Sequence, residues 1–313
     1  VVAGALAALG AAPGEATQPT GEPPMNAAPV KIIFETDMTY DVDDVGALAV
    51  LHALADAGEA ELLAVSFNET HRSGAAAIAA INTWYGRGDI PIGTFGGELH
   101  APDPSRYLDH VATFPHDLGR GATRVSLELY RSVLGSQPDG AVTIVSVGFL
   151  NNLDVLLREE PRLVAAKVRQ LVVMGGRHND GFNLVRHNLV DVTQRVVTDW
   201  PTPLAITDFG GSVRTGAALA HASLDNPVRE AYFRYFDESF RGRSSWDQVA
   251  ALYGVFGAGD WFEDVGEGEA SLPNGHVWQL TAPHRTYVGP RKDTEEFQAW
   301  IEELMTRPPG GLR

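Results

Sequence analysis

The chain has 313 residues, of which 44% are hydrophobic and 20% charged, so it is long enough to bury a large core. A formal charge of −16 with no basic stripe excludes a nucleic-acid backbone as a partner. The absence of cysteine removes disulfides, thiolate metal sites and thiol nucleophiles.

Residues 1–30 differ in composition from the rest. An apolar, alanine-rich run, VVAGALAALGAA, precedes a stretch from Pro13 to Pro29 dominated by Pro, Gly, Thr and Glu. This pattern predicts a signal-peptide remnant and a flexible linker, hence a periplasmic or secreted protein, or a cytoplasmic one if the segment is only an extension. The run is too short to span a bilayer. Residues 31–313 are predicted to form one domain.

Lys31–Phe34 reads as a buried strand, and Asp44–Ala57 as a helix. Between them, Glu35, Asp37, Asp41, Asp43 and Asp44 crowd negative charge into one strand-to-helix turn. Such a turn repels itself unless a cation sits in it, and carboxylates without Cys or His favour calcium or magnesium over zinc. The alternative is a solvated acidic turn at a helix N-terminus, where carboxylates are favourable in any case.

Further strands are predicted at Glu61–Phe67, Ile90–Phe95, Ala141–Val147, Gln170–Met174 and Pro203–Ile206. They alternate with helices at Ala75–Gly86, Ala122–Leu134, Leu153–Arg158 and Val192–Trp200. The alternation predicts an α/β fold: a mostly parallel open sheet flanked by helices, with a helical C-terminal part. Residues 96–120 are expected to form a long irregular loop. Helices follow at Asn226–Phe240, Trp246–Phe256 and Thr294–Met305, and strands thin out after Val213. Tyr232, Phe233, Tyr235 and Phe236 lie at helical spacing and are expected in the core.

Ligands of open parallel sheets bind beyond the carboxyl ends of the strands. There the chain offers the acidic turn, then Asn68-Glu69-Thr70, Asn151-Asn152 and the segment 175–188, rich in Asp and Asn and poor in Lys. Such groups suit a metal and hydroxyls rather than phosphate.

These residues also carry a resemblance. ETDMTYDVDD resembles the DTDxGxDD signature of the nucleoside hydrolases in a longer variant, and SVGFLNNLDVLL resembles that family's GPLTNIA-type segment. VVMGG with the later RHN and Asp191 resembles its MGG…EFN…D segment, and RSSWDQVAALYGV its late aspartate segment. The resemblance implies one calcium ion per chain, held by Asp37, Asp44, the main-chain carbonyl of Asn151, and Asp247. It makes Asp37 the catalytic base and Asp43, Asn68 and Asn188 ribose contacts; Trp246 and Trp261, which fall near the late aspartate in the chain, offer a stacking surface for the base. The implied activity is hydrolysis of the N-glycosidic bond of ribonucleosides or a related N-ribosyl compound, through an oxocarbenium-like state.

The departures shape the expectations. Glu35 replaces the first aspartate, and Thr39-Tyr40 replace small turn residues. Arg186 takes the place of the Glu of EFN, as if the substrate carried a carboxylate or phosphate. Trp246 stands where many relatives have a proton-donating His, which leaves Tyr40, His71, His178 and His187 as substitutes. The competing expectation is a catalytically silent binder of nucleosides or sugars. An aspartyl phosphohydrolase would begin its motif with Asp, where this chain has Glu35. The expected partner is a small nucleoside or ribosyl substrate, with no nucleic acid and no membrane span; a homo-oligomer is left open.

Overall fold

The computed structural model describes residues 28–118, 123–175, 182–265, 269–271, 277–279 and 284–310. Almost all of the signal-like segment, and His178, lie outside the described residues.

The elements in chain order are β1 (Val30–Thr36), α1 (Asp43–Asp56), β2 (Ala60–Phe67), α2 (Gly74–Trp84), β3 (Ile92–Thr94), α3 (Leu108–Val111), β4 (Thr123–Val125) and α4 (Ser126–Gly135). There follow β5 (Val142–Ser146), α5 (Asn151–Glu159), α6 (Pro161–Lys167), β6 (Val168–Met174), α7 (Val190–Asp199), β7 (Leu204–Thr207), β8 (Arg214–Thr215), α8 (Pro227–Tyr235), β9 (Arg243–Ser244) and α9 (Trp246–Phe256). The chain closes with β10 (Phe262–Asp264), β11 (Glu269–Ser271), β12 (Val277–Gln279), β13 (Arg285–Pro290) and α10 (Thr294–Thr306).

Nine strands form one sheet in the order β10-β13-β7-β6-β5-β1-β2-β3-β4, parallel throughout except for β10 at one edge. Strand β1 shows why the sheet is sandwiched. Ile32 and Phe34 join the core cluster under α1, α9 and α10, whereas Ile33 joins the opposite cluster under α4, α5 and α7. Both faces are covered, so the strand reads as a continuous apolar run instead of alternating. Helix α1 is buried from Asp43 to Leu54, on all sides, as befits a helix packed on β2 and flanked by α9, α10 and α8.

The predicted alternation of strand and helix holds through β7, with two local corrections. The first residues of the predicted Ala122–Leu134 helix form β4, because the β-branched Thr123 and Val125 extend along β3 before α4 begins at Ser126. The predicted Asn226–Phe240 helix stops at Tyr235, beyond which Asp237 and Glu238 take left-handed φ values of 52° and 62°. The C-terminal part carries the expected helices, α8, α9 and α10, and adds strands to the sheet. Strand β13 continues the parallel sheet beside β7, and β10 closes its edge.

Chain order reverses across β1. The chain runs outward through β2, β3 and β4, then returns to lay β5 on the other side of β1. That switch point, at the carboxyl ends of β1 and β5, is where an open α/β sheet leaves a crevice.

Candidate metal and substrate site

The crevice holds a cavity of about 410 Å³, reached from β1 by Asp37, Tyr40, Asp41, Asp43 and Asp44, and from β5 by Val147. Strands β6 and β7 contribute Met174 and Asp208, and α9 contributes Trp246 and Asp247. Two helix N-termini supply the acids: Asp43 and Asp44 lie in the first turn of α1, and Asp247 in the first turn of α9. Oxygens of these three buried carboxylates lie within 4.8 Å of one another. Unpaired N–H groups at helix starts favour negative charge, so the packing of α1 on α9 gathers acids that would otherwise repel.

One cation is already present. Arg243, on β9, donates from Nε to Asp41 at 2.8 Å and from Nη2 to the other oxygen of the same carboxylate. Its guanidinium also lies 5.0 Å from the Trp246 ring centre. This pairing settles Asp41, and Asp37, Asp43, Asp44 and Asp247 form no ion pair among the described residues. Burial, reinforced by the charge of Asp44, raises the Asp37 carboxyl well above the usual range. Burial and neighbouring carboxylates do the same to Asp43 and Asp247. Asp44, hydrogen-bonded by Thr36 Oγ1, is pushed up to about 7 by burial first and by Asp41 next.

The donor set fits a hard divalent cation. It is all oxygen, and the buried Asp43 Oδ2 and Asp247 Oδ1 have no hydrogen-bond partner among the described residues. Protons or a cation must occupy such a cluster.

Glu35 lies beneath this layer, fully buried, and burial pushes its carboxyl up to about 7. It accepts hydrogen bonds from Tyr130 Oη, from Asn68 Nδ2 at 2.8 Å and from Asn152 Nδ2 at 3.3 Å. Glu35 and Asp44 thus hold protons more tightly in the folded chain than in the unfolded one. Their contribution to stability is complete below the unfolded values of 4.5 and 3.8 and is lost as pH rises through about 7. The Glu35 part alone is worth roughly 3 kcal/mol. Chelator-treated protein is therefore expected to melt at a lower temperature at pH 8 than at pH 5, with added divalent cation restoring the loss at pH 8. A metal-free melting temperature that rises from pH 5 to pH 8 would contradict this.

The structure sorts the residues singled out from sequence. Asp37, Asp43, Asp44, Trp246 and Asp247 converge on the cavity. Asn68 does not line it: the side chain is fully buried, donating to Glu35 and accepting from the Phe149 N–H at 3.2 Å. Asn151 begins α5, donates Nδ2 to the Asn68 carbonyl at 2.9 Å, and keeps its buried Oδ1 without a partner among the described residues. Asn188 is exposed, with a left-handed φ of 62°, on the 3-10 turn Arg186–Asn188 away from the cavity. Phe182 and Asn183 reach the cavity instead, with Asn183 Nδ2 bonded to the Val147 carbonyl.

Arg186 is committed to Asp103 and lies 4.5 Å from the Phe182 ring centre and 5.4 Å from that of Tyr40. His187 bonds the His100 carbonyl at 2.7 Å and so belongs to the same clamp between loops. Trp261 packs on Trp300 with ring centres 4.2 Å apart, in the core layer. The sequence reading missed Arg243 and Asp208. Asp208 follows the predicted strand Pro203–Ile206 and was accessible to the same strand-end rule, whereas Arg243 carries no local signal.

Gly148 sets the closest approach in the site. A Cβ there would sit 2.5 Å from Asp37 N, 2.6 Å from Asn68 Oδ1 and 2.8 Å from Asp37 Oδ1. Gly148→Ala is expected to displace Asp37, lowering stability by about 1–3 kcal/mol. Denaturant melts test this; a variant with native stability refutes it.

Comparison with known proteins agrees with this geometry. The sequence profile described as inosine-uridine preferring nucleoside hydrolase matches residues 32–194, the span from β1 into α7. No curated protein matches the chain in sequence. Among solved structures, the plant nucleoside hydrolase PpNRh1 superposes with a TM-score of 0.68 at 16% identity, over 90% of this chain and 100% of that one. A purine-preferring ribonucleoside hydrolase from Gardnerella vaginalis gives 0.66 at 14% identity, over 90% of this chain and 100% of that one. The type III effector protein XopQ, solved in complex with adenosine diphosphate ribose, gives 0.65 at 15% identity, over 91% and 94%. At such identities the superpositions establish the shared fold, and the profile match covers β1, β5, β6 and the acidic turn, with Asp208 and Asp247 lying beyond it. The chain belongs to the inosine-uridine preferring nucleoside hydrolase family.

Proposed function

We propose that the protein hydrolyses the N-glycosidic bond of ribonucleosides or a related N-ribosyl compound, with one calcium ion per chain. The observation that carries this is the cluster of Asp43, Asp44 and Asp247, buried, within 4.8 Å and with two orphaned oxygens at the sheet's switch point. Asp44 and Asp247 would hold the ion with Asp37, and Asp43 borders both the cluster and the open cavity, where it can accept from a sugar hydroxyl. When bound, calcium acidifies water and anchors a diol.

Asp37 is suited to remove the proton from the attacking water. It lies in the cavity, it is buried, and its proton affinity is raised toward the range in which a carboxylate works as a base. The surrounding carboxylates stabilise positive charge developing on the sugar ring. Tyr40, Phe182 and Trp246 give the rest of the cavity aromatic walls against which a base can stack.

A second reading, a catalytically silent binder of nucleosides or sugars, is favoured by one feature. Trp246 has no titratable proton, and no histidine lines the cavity among the described residues. Tyr40 is the sole hydroxyl of the described lining. Incubation of the calcium-loaded protein with inosine, uridine and adenosine separates the readings. Release of free ribose supports the hydrolase, and tight binding without ribose supports the binder.

A further inference from the structure

We propose that a second cavity, on the outer side of Tyr40, is a subsite for the phosphate groups of a phosphorylated N-riboside whose sugar occupies the acidic crevice. The proposal rests on the riboside reading above and narrows it to a substrate class. The outer cavity has a volume of about 420 Å³ and is bounded by Tyr40, Arg106, Tyr235, Phe236, Asp237 and Arg241 among others. Tyr40 lines both cavities and is 52% exposed, so one side chain is a common wall between them. Tyr235 lines the outer cavity together with Tyr40.

The charges of the two cavities are opposite. The inner one gathers six aspartates with the single Arg243, and the outer one presents two arginines with a single aspartate. In a chain of net charge −16 such a pair is a local exception. Arg241 is exposed and makes no hydrogen bond or ion pair among the described residues. Arg106 is held by Asp237 at 3.1 Å, but the two side chains are 63% and 83% exposed, a pairing too weak to withhold the guanidinium from a stronger anion. Phosphate is that anion: guanidinium forks match its geometry, and charge-assisted bonds to it are stronger than neutral ones. Arg186 does not serve here, since it is bound to Asp103 and does not line the outer cavity. An anionic substrate, suggested by Arg186 from sequence, is therefore better served by Arg106 and Arg241.

A ligand spanning both cavities would place its diol among the carboxylates and its phosphates beyond Tyr40, separating the anion from the acidic floor. Stopped-flow tryptophan fluorescence of the calcium-loaded chain, read before turnover, tests this with adenosine and ADP-ribose as probes. ADP-ribose is expected to bind at least about tenfold more tightly than adenosine. The double variant Arg106→Ser, Arg241→Ser is expected to lose that advantage while keeping the native affinity for adenosine. Equal affinities for the two probes, or an advantage that survives in the double variant, would overturn the outer site and leave the riboside reading standing. If neither probe binds, the riboside reading falls and the outer site falls with it.

Discussion

Asp37→Asn is expected to leave calcium binding in place and to lower ribose release from inosine by about 10²–10⁴-fold. The amide is isosteric and keeps one oxygen for the ion, but it cannot accept a proton from water. Asp37 is the right residue for this test because its environment raises its proton affinity through burial and the neighbouring Asp44. There is also little room beside it, since a Cβ at Gly148 would meet its N–H and Oδ1. Calorimetric titration with calcium and a ribose assay on the same preparation give the two readouts. Hydrolysis at the native rate in the variant would remove Asp37 as the base.

Asp44→Ala is expected to abolish tight calcium binding, a loss larger than the ~10–100-fold typical of changes behind the ligand shell. Asp44 stands at the centre of the cluster: it accepts from Thr36 Oγ1 and lies within 4.8 Å of Asp43 and Asp247. Calcium should raise the melting temperature of the native chain, because binding to the folded state alone stabilises it. The same addition should leave the variant unmoved. Equal metal content in both proteins would reject Asp44 as a ligand.

Much of the fold could be read along the chain because parallel strands buried on both faces are local apolar runs. KIIF, LLAVSF, VTIVS and LVVM are legible without knowing their neighbours. Strands β4 and β10, of three residues each, and β13 were not, since their extended conformation is imposed by adjacent strands of the sheet. The site was legible in the same proportion. The spacing of the ETDMTYDVDD turn concentrates its acids in one place, so it pointed to a cluster that could hold a cation.

By itself, then, the sequence determined the α/β alternation, the acidic turn after β1 and the matching aspartate at the start of α9, because each is a matter of residues close in the chain. Only the tertiary structure decided how the acids are used. It brought Arg243 across 202 positions to pair with Asp41, leaving the deeper carboxylates for a cation. It sent Asn68 under the floor to Glu35, and brought Phe182 and Asn183, not Asn188, to the cavity wall. It also set Arg106 and Arg241 behind Tyr40. The reason is physical: charge pairing and burial depend on distances through space, which residue spacing fixes only within one helix turn or strand.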